Sequence, residues 1–86
     1  MITRNIDIKL ESEAGARPIA MLVQVASKYK SKINIQQADR TVNAKSIMGM
    51  MSLGLDSGEE LIVTAEGVDE KRAIEGIEKF LSGQVA

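Results

Sequence analysis

From Ile2 to Leu10 apolar residues fall on the even positions Ile2, Ile6, Ile8 and Leu10, with Thr3, Asn5, Asp7 and Lys9 between them. A period of two predicts a half-buried strand, and Arg4 interrupts its apolar face. After the loop ESEAGA the spacing changes. Ile19, Leu22, Val23 and Ala26 share one face of a helix running from Arg17 to about Tyr29, with Lys28 and Lys30 at its negative end. KINIQ over 32–36 alternates again with Ile33 and Ile35 inward, and RTVNA over 40–44 brings Val42 inward. The QADR turn joins these two into a hairpin. Ser46 to Leu53 predicts a short helix, capped by Ser46 and followed by Gly54. LIVTAEG over 61–67 is a strand with Leu61, Val63 and Ala65 inward. A final helix starts at the cap Asp69 and runs to about Ser82 with Ile74, Ile77 and Leu81 on one face, supported by a Glu75–Lys79 pair.

The order β-α-β-β-α-β-α, with every strand polar on alternate positions, calls for a sheet covered on one face only. The expected fold is an α+β open-faced β-sandwich, a single domain over 1–86. Its four antiparallel strands take the order 1-4-2-3, because the fourth strand fills the gap left by the first crossover, and three helices cover one face.

Composition narrows the function. At 44% apolar and 27% charged residues, the chain has the balance of a soluble globular protein. No apolar run approaches the roughly 20 residues that span a bilayer, and the alternating N-terminus does not form a signal-peptide core, so a cytoplasmic protein without membrane attachment is expected. Net charge is −1, with eleven Lys and Arg scattered among twelve Asp and Glu, and Tyr29 and Phe80 are the only aromatic residues. That pattern argues against direct nucleic-acid binding, which needs a basic face or a stacking platform. The chain has no Cys and no His. Thiol chemistry and thiolate metal sites are excluded, and the commonest general base and metal ligand is missing. No catalytic residue, metal or cofactor is expected, and an enzyme is the least favoured class.

Three places hold candidate chemistry. Asp56, Glu59 and Glu60 lie in a turn without EF-hand spacing, which favours a solvated turn over a metal site. In EAGARPIAM, Glu13 to Met21, Arg17 and Pro18 open a helix. Its start is either an anion site or an ordinary helix start, but Gly15 and Ala16 carry nothing that accepts a phosphate. In AKSIMGMMSLG, Ala44 to Gly54, the residues Ile47, Met48, Met50 and Met51 crowd into barely two turns. A helix so short cannot bury every side against one sheet. Met here is either an adaptable docking surface or a gap filler in the core. Ser46 is an N-cap by position, and a phosphate on it would add roughly −1.5 to −2 charges.

The strand–loop–ARP–helix start, the phrase VQVASKY and above all VNAKSIMGMMSLG resemble HPr, the histidine-containing phosphocarrier of the bacterial sugar phosphotransferase system, across essentially the whole chain. The resemblance implies the open-faced sandwich already derived. In that family the residue before ARP is the phosphate-accepting His; here it is Gly15, which excludes phosphocarrier activity. The pattern is closer to the Crh-like branch, which lacks the His and keeps the regulatory Ser. Gly15 nevertheless departs from the Gln of that branch, and Glu13 stands where the family usually has Gly.

The resemblance further implies that Ser46 is phosphorylated by HPr kinase/phosphorylase with ATP. The modified protein would then bind the catabolite control protein, a LacI-type repressor, as corepressor in carbon catabolite repression. Gly15, Arg17, Ala20, Ile47, Met48 and Met51 map onto the partner-binding face, with Gly15 a neutral member of it. Two alternatives stay open. The unphosphorylated form would bind and regulate a metabolic enzyme, or the chain would compete in the phosphotransferase system without transferring phosphate. The expected assembly is a monomer or a weak homodimer.

Overall fold

Strands of alternating polarity pair into a sheet only if their apolar positions fall in register on one face, and here they do. The computed structural model describes residues 1–9, 16–53 and 59–82, and their side chains except those of residues 16–18. The elements are β1 (Ile2–Asp7), α1 (Ala16–Ser27), β2 (Lys32–Gln37), β3 (Arg40–Asn43), α2 (Ile47–Met50), β4 (Glu60–Glu66) and α3 (Glu70–Leu81). The four strands form one antiparallel sheet in the order β1-β4-β2-β3, as the pattern predicts.

The register lines up inward rows. Ile6 opposes Leu61; Ile2 and Ile33 flank Ala65; Arg4 and Ile35 flank Val63, with Val42 next to Ile35. The opposite face carries Thr3, Thr64, Asn34 and Asn43 in one row and Asn5, Ile62, Gln36 and Thr41 in another. The core lies between the inward rows and the helices. It takes Ile19, Leu22 and Ala26 from α1, Met50 and Leu53 from α2 and its following turn, and Ala73, Ile74, Ile77, Phe80 and Leu81 from α3. Fully burying a side chain of this kind stabilises by roughly 1.5–3 kcal/mol. Ala73 and Phe80 widen the α3 stripe beyond the face expected from sequence.

Arg4 occupies an inward position and still costs little. It sits at the margin of the core, where its Nη1 meets Glu78 Oε1 of α3 at 2.6 Å. Among the described residues α3 forms its ion pairs with β1 and the N-terminus, Glu78 with Arg4 and Glu70 with the Met1 ammonium, rather than within itself through Glu75 and Lys79. Lys9 has already left the sheet, because its N–H donates to the Leu81 carbonyl at 2.7 Å; β1 therefore ends at Asp7, short of the predicted Leu10, which lies outside the described residues. β3 ends at Asn43, one residue short of the predicted Ala44, whose N–H still donates to the opposing Ile33 carbonyl at 2.9 Å.

α1 ends at Ser27 rather than Tyr29. The N–H groups of Lys28 and Tyr29 bond three residues back, to Val25 and Ala26, which tightens the turn and stops the helix. Lys28 and Lys30 thus fall beyond its last turn. The β2–β3 turn passes through Ala38 at φ 55°, a left-handed conformation that costs a non-glycine residue about 1–2 kcal/mol. Tyr29 packs partly buried against the core and lies where Gly76 leaves space on α3.

Asp69 corrects the sequence reading. It stands at the N-cap position of α3 but makes no side-chain cap to that helix. Its carboxylate instead accepts from the Lys30 N–H at 2.8 Å, the Ser31 N–H at 2.9 Å and the Ser31 hydroxyl at 2.5 Å. The hydroxyl bond first, then the backbone donors, hold the Asp69 carboxyl below its ordinary range. At the same joint Gly67 approaches Ser31 so closely that no side chain fits, at φ 155°. Glu70 reaches back to the Gly67 N–H at 3.1 Å and to the Met1 ammonium, whose hydrogen bond is the main cause of its lowered pKa.

Candidate functional site

The segment after β3 folds as it does because its side chains capture its own backbone. Asn43 Oδ1 accepts the Lys45 N–H at 2.8 Å, which turns the chain out of the hairpin. Ser46 follows with extended dihedrals, and its hydroxyl accepts the Gly49 N–H at 3.2 Å. Ser46 is thus the N-cap of α2, as expected, and it is exposed. α2 proper covers only Ile47–Met50, shorter than the predicted span to Leu53. Ser52 and Leu53 continue it with bonds three residues back, to Gly49 and Met50, so the last turn is tighter than an α-helix. Gly54, offered as its stop, lies outside the described residues.

Burial divides the crowded apolar residues. Met50 is fully buried and Leu53 nearly so. Ile47, Met48 and Met51 face solvent, at 42%, 83% and 56% exposure. One helical turn cannot direct all its side chains to one side, and the side that meets β3 and α1 takes Met50. α1 packs beside α2 and contributes half-buried Ala20 and exposed Met21. The helical spacing that turns Ile19 and Leu22 inward turns Met21 outward.

The structure brings together Ser46, Ile47, Met48 and Met51 on one short segment and places Ala20 on the adjoining helix. Gly15 and Glu13 lie outside the described residues. So does the side chain of Arg17, whose backbone lies in the first turn of α1. Of the acidic cluster, Asp56 lies outside the described residues, Glu59 is exposed just before β4, and Glu60 opposes Asp7 at the sheet end.

Two cations that the sequence did not single out border α2. Half-buried Lys45 donates from Nζ to the Tyr29 carbonyl at 2.7 Å, taking the role at the end of α1 expected of Lys28 and Lys30. Arg40 donates from Nη1 to the Ser52 carbonyl at 3.0 Å. Both bonds join residues distant in sequence, so no local pattern announces them.

The family profile described as "PTS HPr component phosphorylation site" matches residues 2–83. The chain is similar to the HPr-like protein Crh of Halalkalibacterium halodurans, at 41% identity over 94% of this chain and 96% of that one. It is also similar to the HPr-like protein Crh of Bacillus subtilis, at 35% over 99% and 100%. Among solved structures it resembles HPr-C-His from Thermoanaerobacter tengcongensis, with a TM-score of 0.87 and 40% identity over 100% of this chain and 99% of that one. It also resembles Bacillus subtilis Crh in a form described as a swapped dimer, with a TM-score of 0.76 and 35% identity over 100% and 99%. By sequence and by fold, this chain belongs to the HPr family, with Crh-like proteins among its relatives.

Proposed function

We propose that this protein is a regulator in carbon catabolite repression, switched by phosphorylation of Ser46. The carrying observation is the exposed Ser46 at the head of a helical turn whose Ile47, Met48 and Met51 are turned to solvent. HPr kinase/phosphorylase transfers the γ-phosphoryl group of ATP to the Ser46 hydroxyl oxygen; the P–O bond to ADP breaks and the hydroxyl proton passes to the kinase. The phosphorylated chain then docks on the LacI-type catabolite control protein. Met and Ile supply adaptable contact area, Ala20 lies beside them with Gly15 a neutral member of the face, and Arg17 and the phosphate supply charge. Charge-assisted hydrogen bonds contribute roughly 1.5–3 kcal/mol each, so two or three from the phosphate raise affinity by orders of magnitude.

The absence of His from the whole sequence supports regulation without phosphoryl transfer. The names of its Crh relatives, one described as the catabolite repression HPr, support the same reading. The protein would work as a single domain in the cytoplasm, as a monomer or weak homodimer. Among the described residues no helix is long and apolar enough to cross a membrane.

The test is incubation with HPr kinase and ATP, intact-mass analysis and titration with the repressor. One phosphate, lost in Ser46→Ala, and tighter binding after phosphorylation are expected. A chain that takes no phosphate at Ser46, or gains no affinity from it, sinks the reading.

A second reading has one observation in its favour: the apolar patch is already presented without any phosphate. In that reading the unphosphorylated chain docks on a metabolic enzyme. Retention of an enzyme by the wild type and not by Ser46→Asp would select it.

A further inference from the structure

The four residues of α2 are far fewer than the roughly 12–15 at which an isolated helix becomes even marginally stable. Buried Met50 and Leu53 hold one side of the segment to the core. The exposed side, Ile47, Met48 and Met51, has no such support. Its order depends on the backbone that carries it, and most of the bonds holding that backbone are local: Asn43 to Lys45, Ser46 to Gly49, and the Ser52 hydroxyl to the Gly49 carbonyl at 2.6 Å. A turn stabilised only by neighbours three residues away opens with little cooperativity. Among the described residues the two side-chain bonds that reach beyond it come from cations, and they sit at its two ends. Lys45 fastens the entry of the turn to the Tyr29 carbonyl, just beyond α1, and Arg40 fastens its exit to the β2–β3 hairpin.

We propose that Arg40 and Lys45 are positioning residues for the docking patch: anchored on the Ser52 and Tyr29 carbonyls, they hold Ile47, Met48 and Met51 in one arrangement before the partner arrives. This rests on the docking reading given above. Ordering a mobile segment at the moment of binding weakens affinity, and an arrangement made in advance avoids that loss. Both cations act on carbonyl oxygens of this chain, so their effect belongs to the free protein as well as to the complex. A lysine that only attracted a phosphate or an acidic partner would leave the free chain unchanged.

Hydrogen exchange on the isolated, unphosphorylated chain tests this without any partner. The amides followed are Gly49, Met50 and Met51, which bond to the Ser46 hydroxyl, the Ser46 carbonyl and the Ile47 carbonyl. In Arg40→Gln and in Lys45→Gln these amides are expected to exchange roughly tenfold faster, while the amides of β4 keep their protection. Arg40→Lys, which retains a donor at that position, is expected to restore much of it. Unchanged exchange at the three amides in both Gln variants overturns the proposal, as does a uniform acceleration that includes β4.

In a second arm, the kinase-phosphorylated variants are titrated with the repressor at low salt and at about 0.5 M salt, where exposed charges more than a few ångströms apart are screened. A loss of about tenfold, carried by faster dissociation and persisting at high salt, supports positioning. A loss that vanishes at high salt assigns the cations to direct attraction and overturns it. If the phosphorylated wild type fails to bind the repressor at all, the proposed function falls, and the exchange arm still decides the present inference.

Discussion

Replacing Gly67 by Ala perturbs the joint where β4 hands over to α3. The added Cβ would stand 2.7 Å from both Cα and Oγ of Ser31 and 3.0 Å from its Cβ. Ordinary contact begins near 3.4 Å, so something must move by about 0.7 Å. The obstacle is backbone and cannot swing away. Ser31 is buried, lies immediately before β2 and donates twice to Asp69. Forcing extra atoms into such a place costs about 1–3 kcal/mol, and φ 155° adds a further ~1–3 kcal/mol for any residue with a side chain. The expected loss is therefore at least about 2 kcal/mol. In a domain of this size each kcal/mol lowers Tm by roughly 4–8 °C, so Tm should fall by at least ~8 °C. Circular-dichroism melts of wild type and Gly67→Ala at pH 7 measure it. A variant melting within about 3 °C of wild type would refute the reasoning, because strain of this size has no smaller signature.

Two further outcomes follow from the same structure. Asp69 has a folded pKa below its ordinary 3.8, so its contribution to stability is complete above that value and is lost as pH falls through the lowered one. Wild type should lose stability to urea from about pH 4 downward, and Asp69→Asn should flatten that slope; Glu70, shifted the same way, keeps part of it. An identical slope in the variant removes Asp69 from the account. Met50→Ala, at a fully buried position, should destabilise by about 2–5 kcal/mol. Met48→Ala, 83% exposed, should stay within about 0.5 kcal/mol while weakening partner binding; equal destabilisation by the two would contradict the division of α2 into a buried and a presented side.

The segment that carries the candidate site shows how far pattern goes. Ser46 is legible as a cap because capping is a contact across three residues, and the surplus of apolar side chains on so short a helix announces that some are turned outward. Which ones are turned outward is not legible: Met50 goes in and Met48 and Met51 stay out because β3 and α1 lie on one particular side.

What the sequence determines alone is whatever depends on near neighbours and on periodicity. The inward rows Ile2, Ile6, Ile33, Ile35, Leu61, Val63 and Ala65 fix the sheet, its single covered face and the strand order. Only the tertiary structure decides where the long-range hydrogen bonds go. Asp69 has a good N-cap's composition and position, yet it binds the turn at Lys30 and Ser31, because three donors 38 and 39 residues away converge there. Lys28 and Lys30 look like the closing charges of α1, yet Lys45 holds the Tyr29 carbonyl in the turn that follows α1, and Arg40 holds the Ser52 carbonyl in the turn that follows α2. A polar side chain can be satisfied by any donor or acceptor that the fold brings within about 3 Å, and sequence distance puts no limit on which one that is.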